Sequence, residues 1–207
     1  MPVLIADFLN IEVAAVGYVD NVYQFHTRFQ CNKPVRYNLR NRCFGWCVKT
    51  LVVYYSLTGK TKLVSQVIAE ALNATLSEIT EIKPRKLGPS IYSIGGFAAM
   101  TNRRSEINPI DVDLRQYETI LIGSPIWGSR PAPAINSFIY RTNFEGRSII
   151  PFFTMRGDNS EKALANVTAK IERSQGKVAG SFAITSYKVS DEEIKSRAKA
   201  AIKKYSS

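Results

Sequence analysis

From residue 50 onward, the sequence alternates between short apolar runs of strand length and longer segments with helical spacing. The first run, Thr50–Tyr55, is apolar, β-branched and aromatic, which is typical of a strand buried on both faces. Apolar residues then recur at helical spacing between Leu63 and Leu72, which predicts an amphipathic helix packed on a sheet. Because strands that alternate with helices form parallel sheets covered on both faces, this pattern predicts a doubly wound α/β domain.

The same alternation predicts four further strands and three further helices, which makes a five-stranded parallel sheet. The further strands are expected at 75–80, 119–124, 148–154 and 178–185. The further helices are expected at 131–140, at 161–174 and from Ser190 onward. Between the second and third strands, the apolar segment 91–100 is predicted to be a short helix or a packed flap.

All cysteines and the single histidine lie close to the N-terminus. They are His26, Cys31, Cys43 and Cys47. Residues 48–207 contain neither residue type, which excludes a Cys–His nucleophile pair, a Ser-His-Asp triad, a Cys-ligated iron–sulfur cluster and an ordinary zinc site from that part. Chemistry there needs a bound cofactor or a carboxylate mechanism.

Residues 1–47 show neither a helical nor a strand period, and we expect an irregular N-terminal extension. Their His and Cys residues have spacings of x4, x11 and x3, which match no paired C-x-x-C pattern. A four-ligand metal site is therefore a weak alternative, and we assign no metal ligands. Another alternative is an unstructured extension.

The chain is strongly basic, with 28 Lys and Arg, 17 Asp and Glu, and a formal net charge of +11. Only five of the basic and three of the acidic residues lie in residues 1–47, so most of the excess belongs to the α/β part. Such a charge attracts acidic proteins or anionic ligands. Scattered basic residues without a recognised motif argue against nucleic acid, and the lack of a long apolar run argues against a membrane partner. We expect a cytoplasmic protein.

The loop after the first strand, Ser56–Thr61, combines three hydroxyls, a glycine and a helix N-terminus, a setting that favours a phosphate group. The alternative is a plain capping loop with Thr58 as the N-cap. Gly59-Lys60-Thr61 also resembles the end of a Walker A loop, but the first glycine of that pattern would fall on Tyr54, inside the strand. The loop is too short for an NTPase.

Two later loops follow the third and fourth predicted strands. Trp127 stands in the loop 124–131, where its ring suits a flat heterocycle, although it could instead pack on its own fold. The loop 154–158 could line the opposite side of the same crevice. Because ligands of open parallel sheets bind beyond the carboxyl ends of the strands, we read the three loops together.

Together these loops resemble the flavodoxin family over residues 49–207. The resemblance rests on S-x-T-G-x-T at Ser56–Thr61 and on the aromatic loop Ile122–Gly128. The segment Gly95–Ala99 is similar to a bacterial and archaeal subgroup of short flavodoxin-like proteins. The resemblance implies strand order 2-1-3-4-5 and a bound FMN, so that residues 48–207 form a flavodoxin-like FMN-binding domain.

The resemblance also implies a role for each loop. The FMN phosphate would be bound by the hydroxyls of Ser56, Thr58 and Thr61 and by the backbone N–H groups of Gly59 and Lys60. Trp127 would stack on the isoalloxazine ring. Backbone near the dimethylbenzene or N5 edge would come from Pro125, Ile126 and Gly128. The pyrimidine side would contact Thr154, Met155, Arg156 and Gly157.

The sequence departs from the family pattern in three ways. Lys60 replaces the usual Asn of the phosphate loop, where it either strengthens phosphate binding or points to solvent. The third loop lacks the flavin-stacking Tyr of many flavodoxins, so Met155 or a residue of 91–100 would cover that face. Familiar flavodoxin carriers are acidic, whereas this chain is basic.

The function implied by the resemblance is electron transfer between redox partner proteins, which the basic charge predicts to be acidic. One alternative is an FMN-dependent NAD(P)H reductase of quinones or similar acceptors, and another is a flavin-free binding module on the same fold. Flavodoxin-like chains normally begin near Val48, and an internal GTG start codon is read as valine. A further hypothesis is therefore that residues 1–47 are translated upstream sequence.

Overall fold

The computed structural model describes residues 49–85, 103–157 and 160–205, together with the backbone of four strands that precede them. The chain divides into two compact units, Met1–Val48 and Lys49–Ser207. Within the described parts, every helix is too short or too polar to cross a bilayer. The segment 91–100, predicted as a helix or flap, lies outside the described residues.

The first unit contains a four-stranded antiparallel sheet in the order β1-β2-β3-β4. Its strands are β1 (Val13–Val19), β2 (Val22–Thr27), β3 (Val35–Asn38) and β4 (Asn41–Phe44). This sheet differs from the irregular extension that we expected. Short antiparallel strands pair with their sequence neighbours through the backbone and need no long apolar run, so no clear period marks them. The side chains of His26, Cys31, Cys43 and Cys47, the ligands of the alternative metal site, lie outside the described part of the chain.

The second unit is built on a parallel sheet. Its strands are β5 (Thr50–Tyr54), β6 (Thr75–Glu78), β7 (Thr119–Trp127), β9 (Ser148–Met155), β10 (Lys177–Val178) and β11 (Phe182–Thr185), with β8 (Arg130–Pro131) antiparallel to β7. The order is β6-β5-β7-β9, followed by β10 and β11, which both pair with β9. This is the predicted order 2-1-3-4-5, with the fifth strand divided into two short pieces.

Among the described residues, four α-helices cover the two faces of this sheet, which confirms the doubly wound α/β class. They are α1 (Lys60–Leu72), α2 (Pro133–Arg141), α3 (Glu161–Arg173) and α4 (Asp191–Ile202). One core joins α1 and α4 to alternate strand residues such as Val52, and the other joins α2 and α3 to residues such as Val53. Because successive side chains of a strand point to opposite faces, one apolar run supplies both cores.

The centre of the sheet is packed tightly at Gly123. This residue lies opposite Tyr54 of β5 and Phe152 of β9. A Cβ atom on Gly123 would lie 2.4 Å from Cζ of Phe152 and 2.9 Å from Cβ of Tyr54. The absence of a side chain at this position therefore lets three strands pack closely just before their carboxyl ends.

Candidate functional site

The carboxyl ends of the parallel strands bring the three predicted loops together. The Thr61 and Thr154 hydroxyl oxygens share a buried hydrogen bond of 2.7 Å, which joins the first loop to the third. The ring of Tyr55, directly after β5, meets the ring of Trp127 edge to face at a centroid distance of 6.0 Å. The first loop is therefore in direct contact with the third, and Tyr55, which precedes the first loop, contacts the second.

The first loop ends in a helix N-terminus that has no side-chain cap. Gly59 is the N-cap residue, in a left-handed conformation with φ of 85°, and α1 begins at Lys60. The alternative in which Thr58 caps the helix is therefore wrong. The N–H groups of the first turn have no carbonyl one turn earlier within the helix, so they remain donors directed out of its N-terminus. Such a helix end favours an anion.

Ser56 adds a hydroxyl to this loop that the described residues leave unsatisfied. Its Oγ is buried and has no hydrogen-bond partner among the described residues. Since a buried polar group without a partner is costly, its presence points to a group that completes the hydrogen bond. A phosphate oxygen beside the N-terminus of α1 would do so, and we regard the loop as fitting a phosphate.

Two other residues of the first loop are engaged within the protein. Thr61 is buried, and its hydroxyl is bonded to Thr154. Nζ of Lys60 donates to Oδ1 of Asp191 at 2.7 Å, where α4 begins. This ion pair holds the pKa of Asp191 below its usual value. The Lys60 ammonium is thus paired with a carboxylate in a contact that is exposed to solvent.

The segment 124–131, which we expected to be a loop, is a strand end and a hairpin. β7 continues to Trp127 and pairs there with Arg130 of β8. The two connecting residues, Gly128 and Ser129, have φ of 55° and 61°, as a tight type I′ turn requires. Two prolines in this segment indicate a loop by sequence pattern. They are tolerated because the pairing covers two residues and leaves little of the ladder to disturb.

The buried Ser124 hydroxyl fastens this hairpin to the sheet. Its Oγ accepts a hydrogen bond from the Ala132 backbone N–H at 3.0 Å and donates one to the Pro125 carbonyl at 2.9 Å. Pro125, Ile126 and Trp127 are half-buried. Trp127 packs against the α2 and α3 core in part, as its alternative interpretation required, while part of its surface stays accessible at the sheet edge.

The third loop is divided between buried and exposed residues. Thr154 and Met155 are buried at the end of β9, whereas Arg156 and Gly157 are exposed. Arg156 lies over the ring of Tyr187, with Cζ 3.9 Å from the centroid. Tyr187 follows β11 and is partly exposed, so an aromatic ring does stand next to the third loop, although the strand pattern did not point to it.

A cluster that the sequence patterns did not reveal lies beside Trp127. The hydroxyl of Tyr55 donates to Oε2 of Glu81 at 3.0 Å, and Nε of Arg85 donates to the same oxygen at 3.0 Å. A second pair links Nη2 of Arg85 to Oε1 of Glu81 at 3.1 Å. Cζ of Arg85 lies 5.5 Å from the centroid of the Trp127 ring. Glu81 and Arg85 lie in a segment outside the helices, so no helical spacing in the sequence indicated this pair.

Burial also affects the Tyr55 hydroxyl of this cluster. The side chain of Glu81 is 3% exposed and that of Arg85 is 19% exposed, so water screens the ion pair poorly. Burial, followed by the charge of Glu81, raises the pKa of Tyr55 above its ordinary value. The phenol therefore stays protonated and acts as a hydrogen-bond donor to the carboxylate.

Positive charge also collects near the hairpin that carries Trp127. Nζ of Lys170 in α3 donates to Oδ1 of Asn136 at 2.5 Å. Burial, together with the charges of Arg130 and Arg173, lowers the pKa of Lys170 to about 8. Part of the excess positive charge of the chain therefore lies close to the hairpin that carries Trp127. Among the described residues, no group of His, Cys, Asp and Glu side chains could hold a metal ion.

The hydroxyl pair Thr61–Thr154 gives a test of how the first and third loops are joined. Replacing either threonine with valine keeps its shape but leaves the other hydroxyl buried without its partner. We expect each single change to lower the free energy of unfolding by about 1–2 kcal/mol. The double variant should lose less free energy of unfolding than the sum of the two single losses, because both polar groups are then removed. Urea unfolding of the four proteins measures this coupling, and purely additive effects would contradict it.

A doubly wound sheet with a phosphate-type loop after its first strand and an aromatic residue at the same edge defines a cofactor-binding α/β domain. The family model described as Flavodoxin matches residues 49–195. The chain belongs to the flavodoxin family, which confirms the resemblance seen in its motifs.

Solved structures agree with this assignment. A flavoprotein from Lactobacillus acidophilus in complex with FMN is 25% identical, with a TM-score of 0.59, over 66% of this chain and 93% of that one. A protein from Bacteroides uniformis, assigned as a flavoprotein, is 27% identical, with a TM-score of 0.60, over 73% and 98% of the two chains. Among curated proteins, no sequence matches this chain.

Proposed function

We propose that this protein binds FMN at the carboxyl edge of its sheet and uses it in electron transfer. The single observation that carries the proposal is the buried, unpartnered hydroxyl of Ser56 beside the uncapped N-terminus of α1. These groups together offer hydrogen-bond donors and a favourable dipole to a phosphate. Membership in the flavodoxin family makes FMN the cofactor that this site implies, and a similar flavoprotein was crystallised with FMN.

Residues of the three loops at the carboxyl edge would contact different parts of the cofactor. The first loop would bind the phosphate through Ser56, Thr58 and the N–H groups of Gly59 and Lys60. Trp127 would supply the aromatic face for the isoalloxazine ring, and the end of β9 would border its pyrimidine side. A flavin held in this way supplies one- and two-electron redox chemistry, and nearby charges tune its potential.

The test of FMN binding is direct. Added FMN should lose its fluorescence on titration with the purified protein, with saturation at one FMN per chain. Riboflavin, which has the ring but no phosphate, should bind much more weakly, because the Ser56 loop then has no anion to contact. Failure to quench FMN fluorescence would support the alternative of a flavin-free module.

A second candidate function, an NAD(P)H-dependent reductase, is favoured by the net charge of +11, because familiar flavodoxin carriers are acidic. Reductive titration separates the two candidates. A carrier is expected to take up electrons in two resolved one-electron steps and to react slowly with NAD(P)H. A reductase is expected to be reduced rapidly by NAD(P)H in a single two-electron step.

For the carrier, we propose acidic redox partner proteins. Basic side chains lie near the edge at Arg130, Arg156 and Lys188. Charge of one sign around a site speeds association with partners of the opposite sign, and salt suppresses the effect. The rate of electron exchange with an acidic carrier should therefore fall as ionic strength rises.

Trp127→Ala tests the role of the aromatic face. We expect weaker FMN binding by about 0.5–1.5 kcal/mol beyond the loss of buried area, because one stacking contact is removed. The measurement is the Kd of FMN by fluorescence quenching. Tyr140→Ala is the control, because it removes an exposed aromatic ring near the C-terminal end of α2, away from the carboxyl edge. An unchanged Kd for Trp127→Ala would rule out the stacking role.

A further inference from the structure

The buried ion pair beside Trp127 is difficult to explain as a stabilising feature. Glu81 and Arg85 are both largely removed from water, with side-chain exposures of 3% and 19%. Desolvation of such a pair often cancels its attraction, so that apolar residues of the same volume would stabilise the fold equally well. Stability alone therefore does not account for this ion pair. Its contact with Trp127 places it beside the proposed flavin site.

The geometry fixes the guanidinium of Arg85 relative to the indole ring. Glu81 accepts from Nε and from Nη2 of Arg85, which is a two-point contact that sets the orientation of the guanidinium plane. Tyr55 donates to Glu81 and packs edge to face on Trp127, so the four side chains form a closed set. The cation is thus held at 5.5 Å from the ring centroid of Trp127 rather than moving freely in solvent.

A guanidinium held against the Trp127 ring interacts differently with the oxidised and the reduced form of a flavin bound beside that ring. Two electrons and one proton convert neutral oxidised FMN into its reduced form, whose ring carries one negative charge at neutral pH. The positive charge, partly offset by that of Glu81, attracts the reduced ring and has little net effect on the neutral oxidised ring. Because the surroundings are poorly screened, this difference persists at moderate salt.

We propose that Arg85, held by Glu81 against Trp127, biases the flavin site toward the reduced form through its positive charge. This inference rests on the proposed function, since it needs FMN to bind beside Trp127. It identifies a regulator of redox preference that lies outside the three loops implied by the family resemblance.

The test compares the affinities for oxidised and for reduced FMN. Kd for oxidised FMN is measured by fluorescence quenching, and Kd for dithionite-reduced FMN is measured under anaerobic conditions. We expect Arg85→Gln to weaken binding of reduced FMN about tenfold relative to oxidised FMN, which equals a fall of about 30 mV in the two-electron potential. Arg85→Lys keeps the charge and should retain most of the preference for reduced FMN.

Glu81→Gln is an independent test, because it should change the preference for reduced FMN in the opposite direction. It can be used even if Arg85→Gln does not fold. Glu81→Gln removes the compensating negative charge, while the amide oxygen of the glutamine can still accept a hydrogen bond from Arg85, so the preference for reduced FMN should increase. Arg115→Gln is the matched control, because this exposed arginine pairs with Asp113 before the amino end of β7.

The results separate this inference from the proposed function. Equal changes in both Kd values on Arg85→Gln, in either direction, would overturn the inference, because Arg85 would then act on binding alone. A ratio that does not shift toward reduced FMN in Glu81→Gln would overturn it as well. Absence of FMN binding to the original protein would instead overturn the proposed function.

Discussion

Replacing Gly123 with alanine is expected to lower the free energy of unfolding by about 3 kcal/mol, near the upper end for overpacking of a core. The added methyl group would lie 2.4 Å from Cζ of Phe152 and 2.9 Å from Cβ of Tyr54. Neither neighbour can give way easily. Phe152 is fully buried and stacked on Phe182, and Cβ of Tyr54 is fixed by the backbone of β5. Urea or thermal unfolding of the protein provides the measurement.

Gly157→Ala is the matched control for this prediction. A Cβ atom on Gly157 would meet no atom within 4 Å, and its φ lies outside the left-handed region. We expect a change within about 0.5 kcal/mol, as for an ordinary surface substitution. If the Gly123 and Gly157 variants had similar stabilities, the prediction would be wrong. The centre of the sheet would then accommodate the added methyl group by moving Phe152 or Tyr54.

Ser56→Ala is expected to separate cofactor affinity from stability. The Ser56 hydroxyl has no partner among the described residues, so its removal takes away an unsatisfied polar group and should leave the FMN-free protein as stable as before, or slightly more so. A hydrogen bond to a charged group contributes about 1.5–3 kcal/mol, so the Kd for FMN should rise about 10- to 100-fold.

Ser105 offers a close control for Ser56. Its hydroxyl is also buried without a partner among the described residues, but the Ser105 backbone carbonyl accepts from Ser137 of α2, away from the first loop. Ser105→Ala should leave both stability and the Kd for FMN unchanged. If the Kd for FMN is unchanged in Ser56→Ala, as it is expected to be in Ser105→Ala, the phosphate role of Ser56 is refuted.

The order of the sheet and the place of the first loop could be predicted because both depend on local patterns. A continuous apolar run at Thr50–Tyr54 specifies a buried strand, and the residues that follow it must lie at the carboxyl edge. Gly59 at the start of α1 is likewise a local signal, since a left-handed residue before a helix favours glycine.

Other parts of the site depend on contacts between distant segments, which no local pattern reveals. Tyr55 and Glu81 are 26 residues apart and meet only because β6 lies beside β5. The ion pair of Lys60 with Asp191 spans 131 residues and depends on where α4 begins relative to α1. The hairpin after Trp127 was missed because its prolines resemble those of a loop.

The hairpin has a consequence for the kinetics of ligand capture. Trp127 ends a strand, and the turn at Gly128 and Ser129 pairs it with Arg130. An aromatic residue on a free loop loses conformational entropy when it closes on a ligand, whereas one fixed in advance has already lost it in folding. Association at this edge is therefore expected to follow a single concentration-dependent phase, without a slow ordering step of Trp127 after the encounter.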